Sequence, residues 1–146
     1  MDATSINDII NYRFRSEELR NEATLAAGAS VSDVNVHGNA QGNKDLALIG
    51  DALIRLVIVD QGYTEGATTA ESTSMVCDRG SNVSLERDGR EHNLGKFIVK
   101  NPCQGEVVSR TTMASTVEAL VGAAWLDSGK DFEQARAVME RLGVID

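Results

Sequence analysis

Two helix-length apolar runs, each broken near its middle by a carboxylate, constrain this 146-residue chain more than any other feature. The first, NKDLALIGDALIRLVIVDQ over residues 43–61, is long enough for about five helical turns and is nearly all apolar through its centre. Such a segment is expected to be a central buried helix. Its anomaly is Asp51, whose nearest helical neighbours are Ala47, Leu48 and Ile54. The second run, residues 111–127, carries Glu118 among Ala114, Ser115, Val121 and Gly122.

An ionised carboxylate among such neighbours is costly unless a cation or several donors meet it. Arg55 offers Asp51 an ordinary ion pair one turn on, and that reading accounts for Asp51 alone. Glu118 has no cation three or four residues to either side. The small residues on its face would let another helix approach closely and bring it towards a facing carboxylate. Two acidic groups converging in a helical core repel unless something positive lies between them. Oxygen donors point to a hard divalent ion such as Mg2+, which could activate water and stabilise a phosphorane-like transition state.

The rest of the chain fits the same class. A single Pro and 4% aromatic residues favour helices, and 42% apolar content suffices for one compact domain over residues 1–146. Short helices are expected over residues 5–12, with Ser5 as cap, and from Ser16, fading near Gly28. The run GASVSDVNVHGNAQGN, residues 28–43, reads as a loop, and its lone His37 carries no assigned role. Helices follow over residues 66–77 and 83–91. Residues 92–110 are mostly irregular, with a turn of helix around 97–99. Asp131 caps a last amphipathic helix on which Phe132, Ala135, Val138, Met139 and Leu142 form one stripe. No internal repeat is present.

No run approaches the roughly 18 consecutive apolar residues of a membrane span, and MDATSINDII lacks a basic region followed by an apolar one. An intracellular protein without a membrane partner is therefore expected, cytoplasmic or nuclear, with a removed targeting segment as the open alternative. Cys77 and Cys103 have no CxxC or His partner at metal-ligand spacing and read as two unpaired thiols, ahead of a disulfide or metal site. The net charge of -8 opposes a nucleic-acid partner unless cations cluster locally. Residues 79–110 do carry Arg79, Arg87, Arg90, Lys96, Lys100 and Arg110 against Glu86, Asp88, Glu91 and Glu106, a local balance of +2. A solvated helix surface explains the same residues equally well.

DLALIGDAL, residues 45–53, together with TVEALVGAAWLDSG, residues 116–129, resembles the two most recognisable motifs of ribonuclease III domains, in the family's order. SMVCDRGSNVSL, residues 74–85, is similar to the family's segment around a structural Asn, here Asn82. The resemblance spans roughly residues 14–143. It implies an all-α endonuclease domain of about seven to eight helices around the helix of residues 43–61. It further implies a homodimer that cuts each strand of double-stranded RNA with Mg2+, for which Mn2+ can substitute, and leaves short 3′ overhangs. Duplex RNA would be held by shape and by backbone and 2′-hydroxyl contacts.

Carried over by position, Asp51 and Glu118 match the catalytic, metal-binding carboxylates of the two motifs. Other family carboxylates are replaced, by Lys44 and Ala47 in the first motif and Ser115 in the second. Asp45 lies off the Asp51 face and is a poor substitute. The small Mini-III branch resembles this reduced site, with Ala at the position of Ala47 and a hydroxyl residue at that of Ser115. By that analogy two direct ligands, helped by water and the Ser115 hydroxyl, would hold the metal. The sequence ends about four residues after its last expected helix, where larger relatives carry a double-stranded RNA-binding domain. RNA affinity would then rest on the dimer valley, and Arg79, Arg87, Arg90, Lys96 and Lys100 are the candidates to line it.

The leading expectation is a Mg2+-dependent endoribonuclease. Lys44, Ala47 and Ser115 keep open a degenerate domain that binds duplex RNA or builds a ribonucleoprotein scaffold without cutting. An acidic helical domain with no RNA connection is the third reading.

Overall fold

The computed structural model describes residues 5–105 and 107–146. Within them the chain forms eight α-helices: α1 Ile6–Ile10, α2 Glu17–Ala23, α3 Ala29–Ser32, α4 Lys44–Thr64, α5 Thr69–Arg79, α6 Asn82–Glu91, α7 Arg110–Asp127 and α8 Phe132–Leu142. Two 3-10 turns, Leu94–Phe97 and Pro102–Gln104, occupy the connection from α6 to α7.

Most helices begin where a short polar side chain can accept the first free amides. Ser5 and Asp8 close a reciprocal capping box on α1, and Thr68 and Glu71 close another on α5. Ser16, Ser81, Ser109 and Asp131 cap α2, α6, α7 and α8. Asn82, singled out in the sequence, is the exposed first residue of α6, and Ser81 supplies the cap.

α7 lies at the centre. Met113, Val117, Leu120, Val121 and the alanines around them are fully enclosed by α2, α4, α6 and α8. Each large apolar side chain so buried contributes roughly 1.5–3 kcal/mol. α8 lays Ala135, Val138, Met139 and Leu142 on this core, the stripe expected from its spacing. Asp127, at the end of α7, accepts hydrogen bonds from Tyr12 Oη at 2.7 Å, Arg15 N at 2.9 Å and Ser16 N at 2.8 Å, and so anchors the α1–α2 connection.

α4 is the longest helix and runs three residues beyond the expected end. It buries Leu46, Ala47, Gly50, Leu53, Ile54, Val57 and Ile58 against the core, but its burial is one-sided. Leu48, Leu56, Val59 and Tyr63 are exposed, so the wholly buried helix read from its hydropathy is corrected to a helix with one apolar face open. Elsewhere the differences are local. α2 stops at Ala23 because Leu25 leaves the helix to form a parallel bridge with Val99, where Ala26 N donates to the Val99 carbonyl at 2.9 Å. The loop over residues 28–43 contains the short α3. The helical turn expected around residues 97–99 lies slightly earlier, at Leu94–Phe97. Among the described residues no helix is long and apolar enough to cross a membrane.

Candidate active site

Two glycines set the distance between α4 and α7. A Cβ on Gly50 would collide with the Glu118 carbonyl, and one on Gly122 would collide with the Leu46 carbonyl. Neither position carries a side chain, so the two backbones cross in direct contact. The crossing brings Asp51, the residue after Gly50, close enough to Glu118 for its charge to act on that carboxyl. The convergence expected from the small residues of the second run is therefore present.

The environments of the two carboxylates differ. Asp51 has a side chain 31% exposed and is met by Arg55, whose Nε lies 3.2 Å from Asp51 Oδ2. The ordinary ion pair and the carboxylate cluster, alternatives in the sequence, coexist. Glu118 lies deeper. Burial above all, and then the neighbouring negative charge of Asp51, push its carboxyl up to about 8, while Arg55 pulls weakly the other way. Pairs of carboxylates arranged in this way are typical of sites that bind a cation or handle a proton.

The donor set suits a Mg2+-type ion. Two hard oxygen ligands repel one another at close range, and a divalent cation between them would relieve that repulsion. Mg2+ is commonly held by one or two carboxylates and completes its shell with water and substrate phosphate, so two ligands suffice. Among the described residues no group of three or more His, Cys, Asp or Glu side chains joins into a larger cluster. Asp45 acts on Glu22 of α2 instead, whose carboxyl is raised first by burial and then by that charge.

The positions that depart from the resembled pattern lie on the same two helices as this pair. Lys44 is exposed in the first turn of α4, and Ala47 is buried. Ser115 lies one turn before Glu118, and its hydroxyl donates to Asn43 Oδ1 at 2.9 Å. Asn43 was not singled out from the sequence. It is buried at the start of α4, and its amide donates to the Ala23 carbonyl at 2.9 Å and to Thr116 Oγ1 at 3.1 Å. This side chain ties α2, α4 and α7 together beside the carboxylates. An Asn just ahead of an apolar helix was the available signal, but spacing does not show which helices it bridges.

The basic candidates are dispersed among acidic partners. Arg79 pairs with Asp146 at 2.9 Å, Arg87 with the buried Asp88 at 3.4 Å, and Arg90 with Glu86 at 2.9 Å. Arg110 shares Glu86 at 3.3 Å, which joins α7 to α6. Lys96 lies over the Phe97 ring at 5.2 Å, and Lys100 is exposed. His37 is exposed in its loop, and Cys77 and Cys103 are exposed free thiols. A cleft of about 440 Å3 between α4, α5 and the last residues is lined by Ile58, Met75 and Arg79 among others, and neither carboxylate of the pair borders it.

Residues 44–129 match the family model of the ribonuclease III domain. Among sequence relatives, ribonuclease 3 of Ehrlichia chaffeensis is 31% identical over 134 residues, 86% of this chain and 56% of its own. Ribonuclease 3 of Vibrio cholerae is 31% identical over 141 residues, 89% of this chain and 55% of its own. The chain thus spans about half the length of the curated relatives it matches. The nuclease domain of ribonuclease III from Campylobacter jejuni superposes with a TM-score of 0.78 at 20% identity, over 93% of this chain and 92% of that one, a likeness of fold. The all-helical fold, the two motifs and the family model agree, and the chain belongs to the ribonuclease III family.

Proposed function

We propose that this chain is the nuclease domain of a Mg2+-dependent endoribonuclease that cleaves double-stranded RNA as a homodimer. The observation that carries the reading is the meeting of Asp51 and Glu118 at the α4–α7 crossing within a ribonuclease III fold. Asp51 and Glu118 would hold the ion, and its remaining shell would be water and phosphate oxygen. When bound, Mg2+ supplies charge stabilisation to the phosphoryl group under attack.

The protein's own contribution is arrangement and proton handling. The direct backbone contact at Gly50 sets how closely the two stretches of main chain that carry the carboxylates approach. Without the ion, burial and then the Asp51 charge push the Glu118 carboxyl up to about 8, so loading the ion at neutral pH would release a proton from it. Asp51 remains partly exposed, so the pair is open to a substrate too large for a closed pocket.

The open face of α4 supports the homodimer. Leu48, Leu56, Val59 and Tyr63 recur at helical spacing on one side, and a contiguous apolar stripe of this kind is normally covered by another surface. One of the solved relatives from Campylobacter jejuni is described as having a region involved in dimer formation. A self-complementary stripe on a two-fold axis would meet its own copy.

The decisive experiment incubates the protein with long duplex RNA and Mg2+ beside an Asp51→Asn, Glu118→Gln control. Cutting by the wild type alone supports catalysis, and equal, uncut RNA in both removes it. A second reading, a duplex-binding scaffold, is favoured by the replacement of family carboxylates at Lys44, Ala47 and Ser115. Tight duplex binding without metal and without cleavage would select it.

A further inference from the structure

Arg55 is the cation nearest to the carboxylate pair that the geometry shows. Its Nε touches Asp51 Oδ2 at 3.2 Å, and its charge acts on Glu118 as well. The guanidinium side chain is 62% exposed, so it can leave Asp51 without uncovering any core. The contact is an exposed i, i+4 pair, the kind that contributes little to stability and exchanges readily. Lys44, Asp51 and Arg55 fall along one stripe of α4, since seven and eleven residues are close to two and three helical turns. Asp51 thus lies between two exposed cations on its own helix.

A divalent ion on Asp51 and the Arg55 guanidinium compete for the same carboxylate, since each draws on its negative charge. An ion arriving between Asp51 and Glu118 also repels the neighbouring positive charge. Arg55 is then left with free donors beside a site built for a phosphodiester, and a guanidinium fork matches phosphate oxygens in a two-point contact.

We propose that Arg55 is an exchanging counter-ion of this site: without metal it holds Asp51, and with metal it yields Asp51 and turns to a phosphate of the bound RNA. The proposal rests on the reading of Asp51 and Glu118 as metal ligands. It makes Arg55 a competitor that lowers the intrinsic affinity for the ion and a phosphate contact once displaced.

The test has two arms, neither of which depends on turnover. Mn2+ binding is followed by the electron paramagnetic resonance of the free ion in wild type, Arg55→Gln and Arg55→Lys. Arg55→Gln is expected to bind Mn2+ about two- to five-fold tighter than wild type, and Arg55→Lys to stay close to wild type. Added KCl should narrow the difference. Equal affinities in wild type and Arg55→Gln overturn the proposal while leaving the metal site intact. Absence of Mn2+ binding in all three removes the metal site itself, and the exchange falls with it.

The second arm measures the affinity for a labelled RNA duplex by fluorescence anisotropy with no metal present. Asp51→Asn frees Arg55, so it should tighten RNA binding in the Arg55 background by about threefold more than in the Arg55→Gln background. Additive effects of the two substitutions overturn the exchange. A purely structural Arg55 would give that additive result.

Discussion

Gly50 of α4 abuts the main-chain carbonyl of Glu118 of α7, with no room for a Cβ between them. This contact links folding to chemistry, because the residue that permits the helix crossing is the immediate neighbour of one carboxylate and touches the backbone of the other.

Gly50→Ala should therefore damage both. The inserted methyl meets backbone rather than a movable side chain, and overpacking of this kind costs about 3 kcal/mol. Urea denaturation should show that loss. Any folded fraction should bind Mn2+ more weakly, because the carboxylates have been moved apart. Unchanged stability would mean that the helices do not cross this closely.

Asp51→Asn and Glu118→Gln should separate activity from stability. Each removes one of the two carboxylates proposed to hold the ion, and cleavage of duplex RNA should fall by at least about 100-fold. In the absence of metal, Glu118→Gln removes a half-buried acid that stands against a like charge. Its thermal midpoint should equal or exceed that of wild type. A strongly lowered midpoint would identify Glu118 as a structural residue.

Asp127 should govern part of the acid limb of stability. Burial raises its carboxyl, but the Arg15 amide, the Tyr12 hydroxyl and the Ser16 amide together outweigh burial and hold it below its ordinary value. A group depressed in the folded state stabilises the fold above its unfolded pKa and loses that contribution as pH falls through the folded one. Asp127→Ala should lose about 2 kcal/mol at neutral pH and show a flatter acid limb. Tyr12, pushed up to about 12 by burial and then by Asp127, should ionise closer to the ordinary tyrosine range in that variant. An ultraviolet absorbance titration reads the change, and an unmoved Tyr12 would break the link.

Leu56→Glu should give a monomer. Leu56 lies 53% exposed on the open stripe of α4, so the substitution costs the isolated fold little, within about 0.5 kcal/mol. Placed at a two-fold interface, it sets a desolvated charge on both sides. Sedimentation velocity would show the shift. A wild type that sediments as a monomer would remove the proposed homodimer.

Much of this architecture was legible in the residues. The caps at Ser5, Ser16 and Asp131 are where short polar side chains precede apolar runs, and the α8 stripe is buried as its spacing requires. Asp51 and Glu118 stood out because carboxylates are costly inside apolar helices. The one-sided burial of α4 was not legible. Leu48, Leu56 and Val59 are as apolar as the residues facing the core, and hydropathy does not say which chain covers a face. Nor was the part played by Asn43, whose partners Ala23, Ser115 and Thr116 come from two distant segments.

The sequence by itself determined the helical class, the main helix starts and the two carboxylates, because capping, helical period and the cost of a misplaced charge all act within a few residues. The tertiary structure decided that Gly50 and Gly122 are the contact points, that Asp51 is paired with Arg55 while its charge acts on Glu118, and that Arg79, Arg87 and Arg90 are each matched by an acidic partner. Those are relations between elements. They depend on where two helices cross, which is set by the packing of the whole core.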